Sequence, residues 1–234
     1  MNLLNFFTFN WCEAMAIMNP PLQTAKEEVA NGITHGLGAL LSTFGFGMLL
    51  YSSIMHGSVW HIVSCALYGG SLLILYYIST IYHALRPSAV KRVFRILDHI
   101  SIYLLIAGTY MPLTLVVLQG PLAWTLFGLE CGLCLTGILF KAIFGPKYPI
   151  ASVVFYMLMG CLVLFAAHQL IATLSLGAFL LVALGGFFYV AGIPFYAMDR
   201  KMPFFHAIWH LFVLAGSLCH FFMIFYYVIP FAKG

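Results

Sequence analysis

"HAIWHLFVLAGSLCHFFMIFYYVI", residues 206–229, is an apolar run long enough to cross a bilayer, yet it opens on two histidines one helical turn apart. About 20 apolar residues in a helix span the hydrocarbon core, because only a helix or a closed barrel satisfies its own backbone there. The run therefore decides the fold class, and it also raises a chemical question. An imidazole placed among hydrocarbon costs free energy unless something engages it.

Working outward, further apolar runs lie at about 33–55, 61–84, 97–118, 121–143, 150–172 and 176–197, with the last at 204–229. Their breaks are short ("HGSVW", "RPSAVKRVFRIL", "QGP", "KAIFGPKYP", "LSLG", "MDRKMP"), which makes neighbouring helices antiparallel. Strand-like alternation is absent, so an outer-membrane barrel is not expected. The chain is 63% hydrophobic and 7% charged over 234 residues, with a mean hydropathy of +1.03. Soluble domains carry about 25% charged residues. The reading is an all-α integral membrane protein, a seven-transmembrane helix bundle occupying 26–234. Residues 1–25 form an interfacial or disordered tail; they lack the basic and long apolar regions of a signal peptide, and Met15 and Met18 are alternative starts.

Positive charge sets the orientation. Lys26 precedes the first run, and Arg86, Lys91, Arg92 and Arg95 fill the break after the second. Lys141 and Lys147 flank the break after the fourth, and Arg200 and Lys201 that after the sixth. Of the ten lysines and arginines only Lys233 falls on the other side. The N-terminus is expected in the cytoplasm and the C-terminus outside, across a plasma membrane. No basic run interleaved with aromatics points to nucleic acid. Cys131 and Cys134 form a C-x-x-C spacing inside a span, read as small packing residues rather than a redox or metal pair.

The polar residues gather at one depth. His83 ends the second span with Ser79 one turn deeper, Asp98 begins the third, and His206 and His210 begin the seventh. Three neutral imidazoles with an open fourth position are a zinc arrangement, and His at i and i+4 can share one ion. Zn2+ is the expected cofactor, although iron, cobalt and nickel also accept imidazole. "HAIWH" lacks the glutamate of H-E-x-x-H, so Asp98 is the candidate general base and Ser79 a partner for water or an oxyanion. The bland alternative is a structural metal, or an interhelical hydrogen-bond network with none.

Glu28, Asn31 and His35 form one stripe at the start of the first span. They are read either as residues behind the metal or gating it, or as a capping and interhelical network. His99 lies about 100° round the helix from Asp98 and is expected to face solvent or headgroups. His220, about 15 Å beyond His210 along the axis, is too far for the same ion and is expected to be a satisfied interior histidine. His56, His61 and His168 are expected at the outer interface. Glu130 stands mid-span, a functional candidate by depth alone.

With these residues in view, "EEVANGITHG", "LYGGS", "STIYHAL", "LDHISIYLLIAGTYMP" and "HAIWHLFVLAGSLCHF" resemble the hemolysin III proteins. These are the bacterial branch of the progestin and adipoQ receptor superfamily, and the resemblance covers about 26–229. It implies seven spans with the N-terminus inside. Adiponectin-receptor members hold zinc through three histidines, and by motif position these match His83, His206 and His210, with Asp98 and Ser79 beside the open position. The superfamily is grouped with alkaline ceramidases, which implies hydrolysis of amide bonds in lipids. Met111 departs from the expected threonine before Pro112, away from the site.

Two classes of function follow. The first is a zinc-dependent hydrolase of a membrane lipid or lipid-like amide or ester. The second is a non-enzymatic sensor or receptor-like protein with a structural zinc, acting in membrane lipid or energetics homeostasis. Direct cytolysis, which the family name suggests, is not expected of a chain that is apolar throughout.

Overall fold

The computed structural model describes residues 23–231; the expected tail lies outside the described residues except for its last few positions. Seven helices are long and apolar enough to cross a membrane: α1 Ala25–His56, α2 Val59–Ala84, α3 Ala89–Val117, α4 Gly120–Lys147, α5 Pro149–Thr173, α6 Leu176–Met198 and α7 Phe205–Val228. Among the described residues there is no strand.

Two helices begin earlier than the apolar runs. A capping box starts α1: Glu27 N–H donates to Thr24 Oγ1 (3.3 Å), and the Glu27 carboxylate accepts from Thr24 N–H (2.9 Å). The polar stretch 25–32 is thereby helical, and it carries Glu28 and Asn31 into the bundle. Ser88 caps α3 by accepting from Lys91 N–H (3.1 Å), so Lys91, Arg92 and Arg95 are helical rather than loop residues. In both cases charge masks the hydrophobic period while the cap still dictates the start.

The layers are unequal. For α3, 78% of the most apolar stretch is enclosed by the rest of the protein, against 17% for α5 and for α6. Thus α3 is the central post. α5 loosens into a 3-10 stretch at Leu162–Ala166, where Tyr110 of α3 takes over the backbone pairing. Its hydroxyl donates to Met159 O (2.8 Å) and accepts from Val163 N–H (2.8 Å). In mid-bundle Ser217 of α7 gathers three tyrosines: Tyr68 donates to its carbonyl (3.0 Å), while Tyr76 (2.8 Å) and Tyr189 (3.0 Å) meet its hydroxyl.

His61 lies in the first turn of α2, at the end of the bundle expected, but it does not face outward. It is buried; Nε2 donates to the carbonyls of Val228 (3.1 Å) and Phe231 (3.2 Å), and Nδ1 accepts from Ser58 N–H (3.0 Å). It ties the start of α2 to the end of α7, whose π-turn at Ile224–Val228 leaves carbonyls to satisfy.

Helix α1 approaches α2 closely at Gly38, where a Cβ would overlap the ring of Tyr76; at Gly47 nothing lies within reach. Gly38→Ala is expected to cost about 1–3 kcal/mol through overpacking, while Gly47→Ala leaves stability unchanged or raised. Thermal unfolding in detergent checks the pair.

Candidate metal centre

The centre is assembled from the ends of helices. His83 sits in the last turn of α2, whose next residues turn out through Leu85. His206 and His210 occupy the first two turns of α7. That helix starts abruptly because Phe204 adopts a left-handed conformation, φ 62°, unusual for a residue with a side chain. The bend is held by Phe204 N–H donating to Glu27 Oε1 at 3.1 Å. As a result, three imidazoles from two helices offer ring nitrogens that all lie within 4.8 Å of one another.

Each ring is held from behind. His83 Nδ1 donates to Glu28 Oε2 (2.8 Å), and His206 Nδ1 to Asp199 Oδ2 (2.8 Å). His210 Nδ1 lies 3.0 Å from Thr34 Oγ1. The Thr34 hydroxyl proton is directed at the carbonyls of Ala30 (3.0 Å) and Asn31 (2.9 Å), so its oxygen accepts from His210. With Nδ1 donating on all three rings, Nε2 keeps its lone pair on all three. His83 Nε2 is buried with no hydrogen-bond partner. This is the arrangement in which a histidine behind a carboxylate presents a fixed tautomer to a metal.

These residues fit an ion. Neutral imidazoles suit zinc, with bonds of about 2.0–2.1 Å. Glu28 is itself held: Lys91 Nζ donates to its second oxygen (2.7 Å) and to Leu85 O (2.9 Å). One line of contacts thus runs from α3 through α1 to the α2 histidine.

Asp98 is buried on α3 and faces the same space as His206 and His210, where the fields of His83, His206 and Arg95 reach it. Ser79 Oγ, one turn before His83, is buried beside the Asp98 carboxylate. His35 lies flat against His210, ring centroids 3.4 Å apart, with its edge to Tyr76 at 5.1 Å. Neither of its nitrogens has a partner. Asn31 is engaged elsewhere, donating to the side chain of Gln23.

Behind the histidines a cavity of about 470 Å³ runs between α3, α5, α6 and α7, from Asp98 and His206 to His220 and Met223. Its walls are overwhelmingly aliphatic and aromatic. Leu164 of α5 and Val190 of α6 both line it and are also exposed, so the wall between the cavity and the surroundings is thin along the two least enclosed helices. His99 lines this cavity too, instead of facing headgroups as expected.

Residues 23–221 match the family described as Haemolysin-III related. The chain belongs to that family. It is 44% identical over 211 residues to hemolysin-3 of Bacillus cereus, covering 90% of this chain and 96% of that relative. It is equally similar, 44% over 206 residues, to the hemolysin-3 homolog of Bacillus subtilis strain 168, covering 88% and 96%. It is also 28% identical over 214 residues to the human monocyte to macrophage differentiation factor, covering 88% and 86%. Together with the seven apolar helices, this makes the chain an integral membrane protein of the haemolysin-III related family, with a histidine cluster that could hold a metal ion.

Of the residues expected at the site, the structure brings His83, His206 and His210 together, sets Asp98 and Ser79 beside them, and places Glu28 and His35 in direct contact with members of the trio. Glu28 combines the two readings weighed for it, since it both orients a histidine and links helices. Glu130 is not part of this site; it is buried on α4 with both oxygens unpartnered. Asp199, Thr34 and Lys91 escape a reading of the sequence. Asp199 sits in what reads as an ordinary charged loop, seven positions before His206. Thr34 reads as a generic span residue, and Lys91 as one more positive-inside charge.

His83→Ala, His206→Ala and His210→Ala are each expected to abolish binding of one zinc per chain, measured by mass spectrometry of protein purified in mild detergent. Glu28→Gln and Asp199→Asn are expected to keep the site but weaken zinc affinity about 10–100-fold, in a competition titration with a chromogenic chelator.

Proposed function

We propose that this membrane protein is a zinc-dependent hydrolase of amide or ester bonds in a membrane lipid. The observation that carries this reading is the position of three pre-oriented imidazoles and a buried carboxylate at one end of an apolar cavity whose α5–α6 side is walled by residues that are themselves exposed. His83, His206 and His210 would hold the ion through Nε2. Zinc supplies Lewis acidity there, polarising the scissile carbonyl and acidifying the attacking water.

The chain's own residues do the rest. Asp98 accepts the proton of the attacking water and returns it to the leaving amine or alkoxide as the carbon–heteroatom bond breaks. Ser79 Oγ, buried beside Asp98, donates to the oxygen on which charge develops. Glu28 and Asp199 keep the imidazoles in one tautomer. The aliphatic walls hold the acyl chain and exclude bulk water, which strengthens every electrostatic contact at the mouth.

The orientation belongs to the same proposal: N-terminus in the cytoplasm, C-terminus outside, in the bacterial inner membrane, with the centre near the cytoplasmic leaflet. Nine lysines and arginines support it, from Lys26 to Lys201, all at the histidine end of the bundle. A C-terminal alkaline phosphatase fusion is expected to be active and a C-terminal green fluorescent protein fusion dark; the reverse pattern overturns the orientation. On this reading, any lysis of cells follows from altered membrane lipid rather than from a pore.

A second reading, a sensor whose zinc is structural, is favoured by one observation. The trio joins α2 to α7, while Glu28 and Lys91 bind in α1 and α3, so an ion there clamps four helices. The two readings separate at Asp98. Asp98→Ala is expected to retain zinc and lower fatty-acid release from a panel of lipid amides and esters about 10²–10⁴-fold. Equal release by variant and wild type removes Asp98 from the mechanism, and release by neither together with a lowered Tm on chelation selects the structural reading.

A further inference from the structure

The far end of the cavity poses a problem that an aliphatic ligand does not solve. His220 of α7 lines it, nine-tenths buried, in surroundings that are otherwise hydrocarbon. Its Nε2 lies 3.3 Å from Val182 O, and a carbonyl can only accept, so Nε2 carries the hydrogen. Nδ1 is therefore a bare acceptor, and it is buried without a partner. The ring cannot readily turn to satisfy it. Gly185 of α6 lies so close against the ring that a Cβ there would overlap it, and Tyr189 packs on it with centroids 5.6 Å apart.

The other polar groups along this end are already satisfied. Thr109 donates to Leu105 O (2.8 Å), Tyr110 pairs with the α5 backbone, and Tyr189 pairs with Ser217 (3.0 Å). A buried polar atom without a partner is rare enough in native structures to demand an account. Here the cavity itself is the space from which a partner can come. His220 lies ten residues beyond His210, about 15 Å along the helix axis, the reach of roughly a dozen extended methylenes.

We propose that His220 Nδ1 is a recognition point for a hydroxyl on the acyl chain, so that the cavity selects long-chain lipids hydroxylated about a dozen carbons from the group held at the histidine trio. The inference rests on the reading of the cavity as a lipid site. An unsubstituted chain fills the same volume but leaves the acceptor unmet; a hydroxyl at the right carbon donates to it and loses nothing to water. A hydroxyl beside the carboxylate, at the metal end, never reaches it.

The test uses the full-length, zinc-loaded protein in detergent, with free fatty acids as probes and native mass spectrometry or calorimetric titration as the readout. Stearate, 12-hydroxystearate and 2-hydroxystearate are compared on the wild type. The expected order is 12-hydroxystearate about tenfold tighter than the other two, the size of one well-made hydrogen bond together with relief of an unmet one. His220→Phe keeps the ring volume and is expected to erase the preference; His220→Gln keeps a donor for Val182 and an acceptor for the ligand and is expected to retain part of it. Equal binding of all three acids by the wild type overturns the role of His220 while leaving the lipid cavity standing. Binding of none overturns both. The comparison on the wild type stands by itself if the phenylalanine variant fails to fold.

Discussion

An imidazole inside a membrane protein has two nitrogens, and the surroundings offer neither of them water. That constraint organises the histidine end of this bundle. Each of the three clustered histidines has Nδ1 occupied by a residue from elsewhere: Glu28 for His83, Asp199 for His206, Thr34 for His210. The bonds that orient the rings are also the bonds that dock the helices. Glu28 joins α1 to α2, Thr34 joins α1 to α7, and Asp199 folds the end of α6 back on α7. Phe204 completes the set, since its N–H reaches Glu27 and fixes where α7 begins. Site and fold are therefore not separable here, and loss of a partner behind a ring loosens packing as well as ligand geometry.

Enclosure falls off from the centre outward, and that gradient places the cavity. α3 is surrounded, whereas α5 and α6 are largely bare to the surroundings. The thinnest side of the cavity is the one formed by these two helices, one of them interrupted at Leu162–Ala166. The interruption does not leave the backbone stranded, because Tyr110 serves it from α3. The same economy recurs at Ser217, where one small residue accepts or shares three tyrosine hydroxyls and so keeps α2, α6 and α7 in register without a charged group.

Buried nitrogens without hydrogen-bond partners recur along the cavity wall: His35 and His99 each keep at least one at the end nearest His206 and Asp98, and His220 keeps one at the far end. The cavity is thus polar at the histidine end and apolar along its body, with one unmet acceptor near its foot.

Much was legible in the sequence. Seven apolar runs, the short breaks between them and the one-sided lysines and arginines follow from composition along the chain, because hydrocarbon thickness and backbone satisfaction act on each segment alone. His206 and His210 were legible as a pair because i, i+4 is a property of one helix, and His83, Ser79 and Asp98 because depth can be counted from span ends. The helical starts at Ala25 and Ala89 were hidden, since capping there depends on polar residues that blur the apolar period. Asp199, Thr34 and Lys91, the inward turn of His99 and the burial of His61 were decided only by tertiary structure. Each depends on which face of one helix meets which face of another, and no local spacing encodes that. The sequence by itself determined what had to be buried; the packing of the helices decided which partner would satisfy it, because a hydrogen bond between distant segments exists only once both are held in place.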